Sequence, residues 1–284
     1  MTAPNDGTLP SLPPDVPTSA RMYDYSLGGK DNFPVDRAAV LWVNERYPSG
    51  LDATRENRRF LYRVVRYLAR DAGIRQFLDL GSGLPTQNNV HQVAQEFRPG
   101  ARVVYVDVDP IVLTHGRALL TDDESTTFIG ADVTDFEAIL AHPDTRRLID
   151  LAEPVGVLFL SVGHSIVDDA KLRKLVSAVH DAVAPGSYLA FSQMVGANRE
   201  LAESTTEEIN RDLGMPWKNR TPEDVQELLR GFEPVEPGLT DVKRWHPDPA
   251  QPLLAPVDEP LRRFLGAGAD ETRFMEFGGL LRRP

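Results

Sequence analysis

From residue 76 onward, short apolar runs alternate with longer segments whose apolar positions recur at helical spacing. Gln76–Leu80, Arg102–Asp107, 126–131, 155–162 and 188–194 read as strands. Between them, 87–97, 110–120, 136–141 and 168–183 read as helices. The run 155–162 is apolar almost throughout, as a strand covered on both faces must be. Strand–helix alternation of this kind predicts a parallel sheet with helices on both sides.

The flanks are patterned differently. Residues 1–17 hold Pro4, Pro10, Pro13, Pro14 and Pro17 with little apolar content, which predicts an extended, flexible lead-in. Thr18 or Ser19 starts a short helix through Tyr25. Pro34 and Pro48 bracket a helix over 35–47, and 51–72 reads as a long amphipathic helix closed by Gly73. Past the fifth strand, 196–220 is polar and helix-prone in its middle. Thr221-Pro222-Glu223-Asp224 opens a helix through Leu229. The stretches 231–245 and 272–281 each supply a strand, and five prolines from Pro247 to Pro260 mark the loop between them. The expected organisation is a lead-in (1–17), a helical extension or lid (18–75) and an α/β domain (76–284) with an insertion at 196–220.

Charge and composition narrow the function classes. Net charge is −11, whereas proteins that grip nucleic acid show a basic footprint. One basic run, Arg55, Arg58, Arg59, Arg63, Arg66 and Arg70, shares a helix with apolar Leu61, Val64, Val65 and Leu68. It reads as the solvated face of that helix rather than a binding surface. The excess of arginine, 26 against 5 lysines, reads as coding bias. No apolar run reaches membrane-spanning length and the N-terminus lacks a basic start and apolar core, so a soluble, cytoplasmic protein is expected. The chain has no cysteine, which excludes disulfides and thiolate chemistry, and no metal-ligand cluster is evident.

The chemistry concentrates at the strand ends. The first strand breaks into Asp79-Leu80-Gly81-Ser82-Gly83-Leu84-Pro85-Thr86. Forced onto the dinucleotide fingerprint, this run puts Thr86 where the third glycine belongs, and Pro85 intrudes. S-adenosyl-L-methionine has no phosphate and needs only close backbone approach, so the turn favours it. Asp107 closes the second strand, 26 residues past Gly81, where a carboxylate accepts hydrogen bonds from both ribose hydroxyls. Asp109 competes for that role but precedes Pro110 and reads as a helix starter. At the third strand end, Asp132 faces an adenine amino group and the Val133 N–H a ring nitrogen. Asp132 reads alternatively as a helix cap. Ser82, Val108 and Ser161 complete the candidate cofactor contacts. The fourth strand runs into Leu160-Ser161-Val162-Gly163-His164-Ser165, the usual meeting place of acceptor and methyl group. His164 reads either as a general base or as a satisfied loop histidine. No Asn/Asp-Pro-Pro-Tyr run for methylating an exocyclic base amine is present.

With these residues in view, the chain resembles an actinobacterial family of S-adenosyl-L-methionine-dependent methyltransferases, long catalogued as a domain of unknown function. The most specific match is Ala20-Arg21-Met22-Tyr23-Asp24-Tyr25-Ser26-Leu27-Gly28-Gly29-Lys30-Asp31-Asn32-Phe33, followed by the 77–87, 89–91, 104–110 and 186–189 runs. The resemblance implies a class I methyltransferase fold, Rossmann-like, with a seven-stranded, mostly parallel sheet. It implies cofactor binding at Gly81, Gly83, Asp107 and Asp132, with 23–33 folded over the cofactor and Tyr25, Lys30 and Asn32 reaching it or the acceptor. Two stretches depart from the family: Ser165-Ile166-Val167-Asp168-Asp169 and the ending Phe277-Gly278-Gly279-Leu280-Leu281-Arg282. The expected partner is a small-molecule methyl acceptor, with neither nucleic acid nor membrane involved. Two other readings stay open: a cofactor-binding regulatory module without turnover, and an NAD-dependent oxidoreductase.

Overall fold

One sheet organises the molecule, in the order β3-β2-β1-β4-β5-β8-β6, with β7 also paired to β8. The computed structural model describes residues 15–119, 124–269 and 273–284. Most of the 1–17 lead-in, and the predicted element ends at 120 and 272, lie outside them. The parallel strands are β1 (Gln76–Leu80), β2 (Arg102–Asp107), β3 (Thr126–Gly130), β4 (Gly156–Leu160) and β5 (Tyr188–Gly196). Nine residues of β8 (Phe274–Arg282) run antiparallel to β5. The 231–245 stretch yields only β6 (Glu233–Pro234) and β7 (Thr240–Asp241), both on the free edge of β8. Pro234 and Pro237 lack the N–H a continuous strand would need. Two short pieces thus share the seventh lane, and the strand count is eight.

Both faces of the sheet are covered. Leu78, Leu80, Val104 and Val106 pack toward α6 (Phe136–Ala141), α7 (Pro143–Leu148) and α8 (Asp169–Ala182). Phe77, Val103 and Tyr105, at alternate positions, pack toward α3 (Gly50–Arg66), α4 (Val90–Phe97) and α5 (Pro110–Leu119). This is the period-2 alternation of strands buried on both sides. The short helix α7 was not foreseen.

Ahead of the sheet stand α1 (Ser19–Ser26), α2 (Pro34–Arg46) and α3, whose last turn continues with π-type bonding over Tyr67–Asp71. The expected insertion contains α9 (Arg199–Leu213), capped by Asn198 and ended by left-handed Gly214. It leads to α10 (Pro222–Leu228), which has a Thr221/Asp224 capping box.

Only part of the arginine run on α3 and its continuation is a solvated face, with Arg59 and Arg70 partly exposed. Arg55, Arg58 and Arg63 are buried. Arg55 donates to the Ser26 and Ala255 carbonyls, Arg58 to Gln87 O, and Arg63 to Val242 O and Trp245 O. The helix lies between the sheet and the 242–255 loop, so this part of its polar side meets backbone carbonyls instead of water. Among the described residues, no helix is long and apolar enough to cross a membrane.

Candidate functional site

The carboxyl ends of β1 to β4 open into one cavity of ≈ 560 Å³. Its opposite walls come from α1, α2, α9 and the start of β8. Ligands of open α/β sheets bind outside these strand ends, because the loops there diverge and leave a crevice.

The glycine turn is shaped by contact as well as by backbone angle. Gly81 has φ 75°, and a Cβ there would sit 2.5 Å from Val162 Cγ2. Gly83 has φ 65°, but nothing lies within 4 Å of the Cβ it lacks. Bare backbone therefore meets open cavity at Gly83. The N–H groups of Gly81 and Ser82 both donate to Val106 O, which pins the turn to β2. The Ser82 hydroxyl is buried without a partner. Such groups are scarce in folded proteins unless a ligand or water completes them.

Asp107 ties the turn to the next strand. Its Oδ2 accepts from Gly83 N–H and its Oδ1 from Asp109 N–H, both at 2.9 Å. Each oxygen keeps a further lone pair for a diol. Burial pushes its pKa up, and the backbone N–H groups of Asp109, Gly83 and Val108 pull it back. Asp109 is the helix starter: Oδ1 accepts from Ile111 N–H at 2.8 Å, and Oδ2 from the Thr18 hydroxyl at 3.4 Å. Asp132 caps no helix, because Asp135 caps α6. Its Oδ1 instead accepts from the N–H and hydroxyl of Thr134, which holds the side chain exposed at the cavity rim. Val108 and Val133 line the cavity beside these acids, and Val108 is 46 % exposed.

Asp79 and Arg58 were not among the expected site residues, yet both are buried and both line the cavity. Burial and neighbouring Asp107 push the Asp79 pKa up to about 7, and Arg58 opposes the rise. The sequence signal for Asp79 was its place in the first-strand run. Arg58 gave none beyond its helix. Asp79, Asp107, Asp109 and Asp132 together make this end of the cavity hostile to a pyrophosphate and hospitable to a cation.

The rest of the cavity is mainly apolar, with Met22, Val40, Val43, Ile209, Leu213 and Met215 lining it alongside polar Asn44, Tyr47, Thr205 and Asn219. His164 lines it too. Its ring stacks on Trp217 with centroids 3.8 Å apart, and its Nδ1 accepts from Met194 N–H at 3.4 Å. Burial and nearby Arg220 push its pKa down to about 3. His164 is thus a neutral, hydrogen-bonded ring and a weak proton acceptor, which disfavours the general-base reading. Ser161, at the tip of β4, has φ 59° and donates its N–H to Ser192 O and Oγ. A non-glycine residue held left-handed at a cavity wall is strain of the kind that functional sites retain.

Three expected contacts are not brought to the cavity. Tyr25 is buried among Val40, Leu51, Val257, Leu261 and Phe264. Lys30 pairs with Asp258 at 2.6 Å and is largely exposed, beside a second cavity. Asn32 donates to Asp24 Oδ2 and Gly29 O, which fastens its own loop. The reason is helical period. Ser19, Met22, Tyr23 and Ser26 stand at i, i+3, i+4 and i+7 and line the cavity, and Tyr25 lies off that stripe.

The sequence signature of the S-adenosyl methyltransferase family matches residues 7–284. The chain belongs to that family. This methyltransferase therefore uses S-adenosyl-L-methionine as its cofactor, and the dinucleotide and non-catalytic alternatives are set aside. A candidate methyltransferase from Thermobifida fusca is similar over 95% of this chain and 96% of its own, at 42% identity and a TM-score of 0.81. A DUF574 family protein from Streptomyces avermitilis is similar over 95% of this chain and 98% of its own, at 36% identity and a TM-score of 0.79. No curated protein matches the sequence. The strand order with its antiparallel β8 is that of the class I methyltransferase fold. Among the described residues no group of three or more His, Asp or Glu side chains is arranged to hold a metal ion.

Proposed function

We propose that this methyltransferase acts on a small, largely apolar acceptor held between α1, α2 and α9. The observation that carries the reading is the division of one cavity into a carboxylate-lined end and an apolar end. A cavity of ≈ 560 Å³ lies in the range that encloses small ligands. The net charge of −11 argues against a nucleic-acid acceptor.

Each donor-end residue has a task in this reading. Asp107 accepts from both ribose hydroxyls while its backbone partners keep it aimed. Asp132 and the Val133 N–H read the adenine edge, and Val108 and Val133 flank the ring. Asp79 and Arg58, of opposite charge on the same cavity wall though not ion-paired, match an ammonium–carboxylate tail. Gly83 and the Ser82 hydroxyl meet that tail at the turn, and Ser161 stands where the donor end meets the apolar end. The cofactor supplies an activated methyl on a sulfonium. The protein's contribution is alignment and exclusion of water by α1 and α2, and alignment supplies most of the rate in such displacements. His164 orients through hydrogen bonding and stays uncharged.

Two measurements test this. Calorimetric titration should show S-adenosyl-L-methionine binding and no NADH binding. A labelled-methyl screen should then transfer label to apolar amines or phenols and leave RNA and protein unlabelled. Transfer to a macromolecule instead would overturn the small-molecule reading.

A further inference from the structure

Glu276 is the third of the nine residues of β8 and is 1% exposed. Neither carboxyl oxygen has a hydrogen-bond partner within 3.5 Å, though the Ser161 and Ser192 hydroxyls lie near enough to favour its ionised form. A buried acid left unpaired is costly, and an apolar residue would serve a strand core better. Its neighbours explain what it is near. Phe274, two residues back on the same face, lines the cavity, as does Met194, its cross-strand partner. The Ser161 and Ser192 hydroxyls face it from β4 and β5, and the Tyr23 phenol from α1. Ser161 and Tyr23 are cavity wall. Glu276 thus stands one layer behind the wall at the junction of the donor and acceptor ends.

We infer that Glu276 is the internal counter-charge to a cation in this cavity, its carboxyl neutral when no cation is bound and ionised opposite the cofactor's sulfonium. The inference rests on the cofactor lying in the cavity as proposed above. The electrostatic surroundings suit it. Burial, with a smaller push from Asp241 on β7, raises the Glu276 pKa to about 8, and the two serine hydroxyls oppose the rise. From α1, Tyr23 is itself held neutral by burial. Arg58 on α3 and Asp79 on β1 reach the same phenol electrostatically, and His164 beyond Met194 is neutral. No described cation is paired with the Glu276 carboxyl.

The same device accounts for the proton of the reaction. A new bond forms from the acceptor's lone pair to the methyl carbon, and the carbon–sulfur electron pair stays on sulfur. The acceptor's N–H or O–H proton departs, and the Glu276 carboxylate, having lost its cationic partner, takes up one proton. Sulfonium, carboxylate and neutral acceptor become thioether, carboxylic acid and methylated acceptor, with the total charge unchanged. Glu276 acts through the wall residues and is a positioning residue in this scheme.

The test is calorimetry of the full chain at pH 7.5 in phosphate and in Tris, whose ionisation enthalpies differ. Binding of S-adenosyl-L-methionine should release on the order of half a proton more than binding of S-adenosylhomocysteine, which has the same tail but neutral sulfur. Glu276→Gln should abolish that difference and weaken the cationic ligand by about tenfold, with the neutral one within twofold. Asp79→Asn, the other buried acid that titrates in this window, should preserve the difference. Equal proton counts for the two ligands in the unmodified protein would overturn the inference. So would a difference that survives Glu276→Gln and vanishes in Asp79→Asn. If Glu276→Gln does not fold, equal proton counts in the unmodified protein still overturn the inference, and a difference that persists in Asp79→Asn supports it. Failure of both ligands to bind would instead overturn the cavity assignment on which the inference stands.

Discussion

At the end of the cavity proposed to hold the methyl donor, four carboxylates and a bare main-chain turn come from the tips of neighbouring parallel strands. At the acceptor end, apolar side chains come from α1, α2, α9, β5 and β8, segments up to about 250 residues apart in the chain. The donor end is fixed locally. Asp107 holds Gly83 and Asp109, Asp109 starts its own helix, and Asp132 is held by Thr134. The apolar end has fasteners of its own: the Tyr47 hydroxyl donates to Glu208 Oε2, Trp217 Nε1 to Asn219 Oδ1, and the Asn219 N–H to the Thr206 hydroxyl. It exists because α9 and the N-terminal helices converge over β5 and β8. The first is held mainly by residues close in sequence, the second by residues brought together from far along the chain.

The sharpest way to break this contrast is at the turn. Gly81→Ala places a methyl against Val162 in a left-handed conformation. It should abolish measurable cofactor binding and destabilise the fold by about 1–3 kcal/mol, read by calorimetry and thermal melting. Retained affinity would show that the turn does not shape the donor end. Next comes Asp107→Ala, which should weaken S-adenosyl-L-methionine by about tenfold or more with the fold intact, as charge-assisted hydrogen bonds are lost. An unchanged dissociation constant would contradict the ribose assignment.

A smaller effect is expected from pH. The folded-state pKa of Asp79 is raised from 3.8 to about 7, and that of Glu276 from 4.5 to about 8. Both acids bind protons more tightly when folded, so their contribution is full below about pH 4 and is lost as pH rises through about 7 to 8. Urea unfolding at pH 5 and pH 8 should show the Asp79→Asn/Glu276→Gln double variant losing less stability than the unmodified protein, by roughly 1 kcal/mol or more. Parallel losses in the two proteins would mean neither acid is desolvated. The smallest effect on the cofactor belongs to Trp217→Ala, which should leave its affinity within about twofold while cutting the binding of an apolar fluorescent probe several-fold. A large loss of cofactor affinity there would join the two ends that the contrast separates.

Much of the donor end was legible in the chain. The Gly81–Gly83 turn, Asp107, Asp132 and Val133 were read from runs in which each residue follows directly on a strand, and all line the cavity. The 23–33 segment was misread in detail, because a family motif marks a segment without saying which helix face meets the cavity. Tyr23, not Tyr25, faces inward, while Lys30 pairs with distant Asp258 and Asn32 holds its own loop. The buried arginines of α3 were misread because helical period separates apolar from polar sides but does not say what covers the polar one. Here backbone carbonyls of distant loops do. Glu276 drew no notice, since one acid in a partly alternating strand looks like a solvent-facing position.

What the chain determined by itself was the alternation of strands and helices, hence the layered α/β sheet, and the residues at each strand tip. Those follow from period and position, which are properties of neighbours in sequence. Only the tertiary structure decided which residues wall the apolar end of the cavity, that Arg55, Arg58 and Arg63 of α3 are internal fasteners, and that Glu276 is buried without an ion-pair partner beside the cavity. Burial and pairing depend on what arrives from far along the chain, and short-range pattern carries no record of that.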